Sequence, residues 1–135
     1  MEINRPDVLA EVTEKFLQYE QAINTNDIEV LDRSFLDSVQ TVRFGMNEEL
    51  WSYDEIMAFR RTRNTAGTPR RLVRYVITSY GESLAVANAV FRREGVNKIG
   101  RQSQTWVKLD SGWKVVSAHV SLVDIRQDPN PSGGS

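Results

Sequence analysis

The chain contains no cysteine, which excludes a disulfide framework, a thiolate metal site and a cysteine nucleophile. It has a single histidine, His119, so no site can be built from several imidazoles. Neither sign of charge dominates: 17 Lys+Arg against 18 Asp+Glu give a net charge of −1. The basic surplus that draws proteins onto nucleic acid or anionic membranes is therefore missing, and neither partner is expected. No run approaches the ~20 apolar residues of a membrane-spanning helix. The opening MEINRPDVLAEV carries acids rather than an apolar core, so no signal peptide is expected and the expected location is cytoplasmic. There is no phosphate loop, dinucleotide fingerprint, nucleophile elbow or metal-ligand spacing; neither a metal nor a cofactor is expected. What is present is 135 residues, enough for one domain that buries an adequate core without staples.

The first half has helical periodicity. Val8, Val12, Phe16, Tyr19 and Ile23 recur at spacings of four and three, and Leu9 and Leu17 widen the stripe. This predicts a helix over about 5–24, capped by Asn4 with Pro6 and Asp7 in its first turn. Asn26 followed by Glu29 predicts the cap of a short second helix ending near Phe35. Residues 40–44 alternate and predict a strand, Leu50-Trp51 a very short one, and Ser52 with Glu55 a capping box opening a third helix through Ile56 and Phe59. A loop follows over 65–69, marked by Gly67 and Pro69. The period then changes. Segments 71–80, 84–93, 99–109 and 113–123 read as long strands with short breakers between them, an antiparallel meander. Helices first and a long-stranded sheet afterwards give an α+β fold over 1–124, with a strongly curled sheet closed by the first helix, and a disordered tail over 125–135.

Such a half-barrel has a pocket between helix and sheet. Tyr19 lies on the apolar stripe, so its ring points at the sheet and its hydroxyl needs a partner, either a backbone carbonyl or a ligand. Arg43 alternates with Val42 and Phe44; on an inward face it offers a planar fork to a carboxylate, and Gly45 leaves room beside it. The run 100–106 starts with no apolar side chain although it sits in a long strand. Gln102, Gln104 and Trp106 share one of its faces, and a polar interior suits a ligand cavity. If the connection over 110–113 has four residues, His119 faces Gln104 and joins it. Arg60, Arg61, Arg63, Arg70, Arg71 and Arg74 form a cationic group, either a solvated cluster or a rim that steers anions.

The segments INRPDVLAEVTEKFLQYEQAI, TVRFG, WSYDEIMAFR, GRQSQTWVKL and GWKVVSAHVSL, in this order and spacing, resemble the AtzH-like family. That family belongs to the SnoaL-like branch of the nuclear transport factor two-like superfamily and includes the HpxZ-type oxalurate catabolism proteins. The resemblance extends to about Leu122. It implies a cone-shaped α+β barrel, a homodimer packed through the sheet, and a setting among amidase-signature enzymes of nitrogen-compound catabolism. It implies action on a carboxylated urea such as 1,3-dicarboxyurea, which loses one carboxyl unit to give allophanate. The family's functional pair falls on Tyr19 and Arg43, with Gln104, His119 and Trp106 expected to contact substrate. The alternative is a non-catalytic domain that binds an amidase or carries an unstable product. An isomerase of the ketosteroid type would want a carboxylate base in the pocket, and the strand faces offer none.

Overall fold

The computed structural model describes residues 1–63 and 68–125; most of the expected 65–69 loop and nearly all of the tail lie outside them. In chain order the elements are α1 (Pro6–Thr25), α2 (Ile28–Ser34), β1 (Val42–Phe44), β2 (Glu49–Leu50), α3 (Tyr53–Arg61), β3 (Arg70–Tyr80), β4 (Leu84–Arg93), β5 (Lys98–Leu109) and β6 (Gly112–Asp124). The sheet order is β2-β1-β6-β5-β4-β3. The last four strands meander antiparallel, and β1 joins β6 in parallel. This is the expected α+β architecture, with the helices packed on the inner face of a curved sheet.

Helix α1 buries most of the stripe that its spacing predicts: Val8, Val12, Phe16 and Tyr19 are buried and Leu9 and Ile23 partly so, whereas Leu17 is exposed. It lies against Ala85, Ala87 and Ala89, whose small side chains on the inner face of β4 let the helix approach closely. Its ends differ from expectation. Asn4 does not cap the helix; it takes a positive φ of 58° and its side chain accepts a hydrogen bond from the Ser79 amide at 2.9 Å, tying the chain start to β3. Asn26 likewise is not the cap of α2. It ends α1 in the left-handed conformation, and Asp27 caps α2 by accepting from the Val30 amide. Ser52 does cap α3, accepting from the Glu55 amide at 3.1 Å.

Register decides which side chains face inward. The β5–β6 connection is tighter than a four-residue loop: Leu109 pairs with Gly112, which takes a φ of 105° that favours glycine. A bulge opposite Thr105 and Trp106 leaves Val116 without a partner. Ser103 therefore pairs with His119, and Gln104 with Ala118. The expected facing of His119 and Gln104 is thus overturned by a shorter turn and a bulge, and the two side chains point to opposite faces.

Gly100 supplies a packing test. It pairs with Phe91, and a Cβ built on it would enter the buried Phe91 ring. That ring has no flexible end to swing away. Gly100→Ala is therefore expected to destabilise the protein by about 1–3 kcal/mol, the usual cost of overpacking a core. Urea denaturation reads this directly; an unchanged midpoint would show that Phe91 moves freely.

Candidate active site

A cavity of about 150 Å³ opens between α1, α3 and the inner face of the sheet, lined by Tyr19, Ile23, Asn26, Leu31, Leu50, Ile56 and Phe59 together with Arg43, Arg60, Arg63, Arg70 and Arg93. Pockets for drug-sized ligands hold ~300–1,000 Å³, so this one suits a small molecule. Tyr19 and Arg43 both line it.

Tyr19 reaches the cavity because it stands on the buried stripe of α1, three residues after Phe16. Its ring is held edge-on by Phe35 at 6.0 Å and by Trp106 at 6.4 Å between centroids. The side chain is 3% exposed, yet its hydroxyl has no hydrogen-bond partner among the described residues. By contrast, Tyr53 donates its hydroxyl to the Asp32 carbonyl at 3.2 Å. A nearly buried phenol held by its ring, with its O–H unengaged, is a donor ready for a ligand.

Arg43 pairs with Ala118 of β6, which sets it on the inner face. One terminal nitrogen bonds Glu48 at 3.0 Å. The room beside it does not go to a ligand as expected: a Cβ at Gly45 would collide with the Glu48 carboxylate, so the missing side chain admits Glu48. The carboxylate holds the guanidinium from one side and leaves the rest of the fork to the cavity.

Arg70 is the most constrained member. Its Nε and Nη2 reach the two Glu20 oxygens at 3.0 and 2.6 Å, Nη2 also bonds Gln102 Oε1 at 3.0 Å, and Gln102 Nε2 donates to Glu20 at 3.2 Å. The Phe91 ring lies 4.2 Å from its guanidinium carbon. The Asn24 side chain bonds both the amide and the carbonyl of Arg70 at 2.9 Å, fixing the start of β3 to α1. Burial makes this a closed network in which each charge has a partner.

The remaining arginines complete a cationic lining. Arg60 meets Asp32 at a long 3.5 Å. Arg63 lies over the Phe59 ring and Arg93 over Phe91, where Arg93 Nε also donates to the Thr68 carbonyl. Burial, with Arg70 close by and Arg63 adding to it, pulls the Arg93 guanidinium below the usual arginine range. Arg61, Arg71 and Arg74 are exposed away from the cavity, so the cationic group divides between rim and solvent.

The other expected contacts are not brought to the cavity. Trp106 and Gln104 are buried behind Tyr19: the Trp106 indole N–H donates to Gln104 Oε1 at 3.1 Å, and its ring supports the tyrosine. They position Tyr19; neither lines the space. His119 is exposed on the outer face, where its ring meets Phe44 at 5.9 Å, so it touches nothing in the cavity. Sequence reasoning missed Glu20, although it continues the strict spacing of four through Val8, Val12 and Phe16 and so falls on the buried side of α1. Among the described residues no cluster of His, Cys, Asp and Glu could hold a metal ion, and no helix is long and apolar enough to cross a membrane.

Comparison with known proteins agrees with this fold. The AtzH-like family profile matches residues 1–126. A protein of unknown function from Pectobacterium atrosepticum is 51% identical, with 90% of this chain and 95% of that one covered and a TM-score of 0.87. A cystatin-like fold protein from Burkholderia xenovorans is 38% identical over 93% of this chain and 99% of its own, with a TM-score of 0.89. A nuclear transport factor 2-like superfamily protein from Salmonella enterica shares the fold at 23% identity and a TM-score of 0.71, over 91% of this chain and 95% of that one. No curated protein matches the chain. The match over nearly the whole sequence, on a cone-shaped nuclear transport factor 2-like fold, places this chain in the AtzH-like family.

Proposed function

We propose that the protein is a small-molecule enzyme of nitrogen-compound catabolism that removes one carboxyl group from an N-carboxylated urea such as 1,3-dicarboxyurea, leaving allophanate. The observation that carries this reading is one small cavity lined by an unengaged tyrosine hydroxyl and by Arg43 among five guanidiniums. Arg43 holds the carboxylate that departs. The bond between that carboxyl carbon and the ureido nitrogen breaks, its electron pair stays on nitrogen, and the carboxyl leaves as carbon dioxide. Tyr19 gives its proton to the nitrogen and regains one from water. A phenol carries an O–H that it can donate, so this residue type serves as the acid. Negative charge moves from carboxylate to nitrogen during the step, and a donor aimed at the nitrogen binds the transition state more strongly than the substrate. The reading carries with it a homodimer through the outer sheet face, where Val76 and Val123 are 48% and 40% exposed.

The test is turnover by purified protein alone. Freshly generated N-carboxylated urea should give allophanate and carbon dioxide faster than in buffer. Unchanged decay, together with stable capture of an amidase-signature enzyme, would instead mark an accessory domain.

A further inference from the structure

Among the described residues the cavity holds five guanidiniums and three carboxylate partners: Glu48 on Arg43, Asp32 on Arg60 and Glu20 on Arg70. Among the described residues neither Arg63 nor Arg93 forms an ion pair; the carboxylate near Arg93 is Glu20, which is already paired with Arg70, so their end of the cavity carries surplus positive charge. Both guanidiniums have an aromatic ring against them, Phe59 at 4.8 Å and Phe91 at 5.3 Å. Stacking fixes the plane of a guanidinium and leaves its N–H edge free to meet a carboxylate. Arg93 Nε is taken by the Thr68 carbonyl at 3.0 Å, so the two terminal nitrogens remain.

Their position separates them from Arg43. Arg43 is on β1 and Arg93 ends β4, and these strands stand three spacings apart in the sheet. At ~4.8 Å per spacing that is about 14 Å along the sheet. The two arginines therefore enter the cavity from well-separated strands, so that each can hold a carboxylate of its own. Tyr19 lines the same cavity.

We infer that Arg93 and Arg63 form a second carboxylate subsite, which binds the group the substrate keeps and makes the cavity selective for dianions over monoanions. This rests on the reading of the cavity as the site of a carboxylated urea and names residues that determine its specificity. The retained carboxylate has the same charge in substrate and transition state. Its contacts therefore bind both equally, so they set KM and leave kcat alone.

The experiment is calorimetric titration of the full chain with glutarate and with butyrate, a stable dicarboxylate and a monocarboxylate of similar shape, at one fixed ionic strength. Wild-type protein should bind glutarate at least about ten-fold more tightly than butyrate, the effect of one added charged hydrogen-bond set. Arg93→Gln should lose about ten- to a hundred-fold in glutarate affinity, approaching the butyrate value, with butyrate binding unchanged. Arg63→Gln, on an exposed side chain whose replacement leaves the core untouched, should move glutarate in the same direction and serves if Arg93→Gln is unstable. A wild-type preference for glutarate that survives both variants overturns the subsite while leaving the carboxylate-binding cavity standing. A wild-type protein with no preference overturns both. With turnover as a second readout, Arg93→Gln should raise KM and leave kcat within about two-fold; a kcat loss instead would place Arg93 in the chemical step.

Discussion

Tyr19→Phe should lower turnover of a dicarboxylated urea by about 10²- to 10³-fold, the usual effect of removing one preorganised transition-state donor. It should leave the melting temperature within a few degrees of wild type, because the hydroxyl holds no other described residue while the ring keeps its edge contacts to Phe35 and Trp106. In the proposed reaction the loss should fall on kcat, since there the proton is needed only as the carbon–nitrogen bond breaks. Arg43→Lys should also lose most activity although the charge stays. Lysine offers a flexible point charge, and one that reaches Glu48 has no second edge for substrate. Steady-state kinetics and thermal melts on the same samples check both variants. Full activity in Tyr19→Phe would remove the tyrosine from the acid role.

The largest stability effect belongs to Arg70. Arg70→Met should cost about 3–5 kcal/mol, because it leaves the Glu20 carboxylate in a buried site with only the Gln102 amide to face it. For a protein of this size that is a fall of ten degrees or more in Tm. The double variant Glu20→Leu, Arg70→Met removes both charges and should recover much of the loss, since a well-packed apolar pair often matches a buried ion pair. Chemical denaturation of the two single variants and the double variant measures the coupling. A cost below about 1 kcal/mol for Arg70→Met would show that water reaches Glu20 and that the network does not brace the cavity wall.

The sequence announces the elements better than the contacts. The spacing in α1 and the alternation in β3 to β6 are local patterns, so strands 84–93 and 71–80 are legible to within a residue of their observed ends. Tyr19 and Arg43 were legible as candidates for the same reason: each sits at a position whose face its neighbours determine. His119 was misplaced because its facing depends on a turn length and a bulge at Val116, and a shift of one residue sends a strand side chain to the opposite face. Gln104 and Trp106 do lie in the interior, as the polar start of β5 suggested, but helix α1 covers them, and no strand pattern reveals which interior positions a helix will cover. The Glu20–Arg70–Gln102 network joins residues 50 and 32 positions apart; such a union appears only when register and packing are known. Arg70 in particular looked like its solvent-facing neighbours Arg71 and Arg74, from which alternation and the bulge after Leu72 separate it.

The measurement that tests the site most directly is a crystal structure of the Tyr19→Phe variant soaked with 3-oxoglutarate, which replaces both N–H groups of 1,3-dicarboxyurea by methylenes. One carboxylate should lie on the Arg43 guanidinium and the other toward Arg93, with the intervening methylene beside the position the Tyr19 hydroxyl occupies in the wild type. Density for the ligand outside this cavity, or inside it with both carboxylates turned away from Arg43, would contradict the assignment.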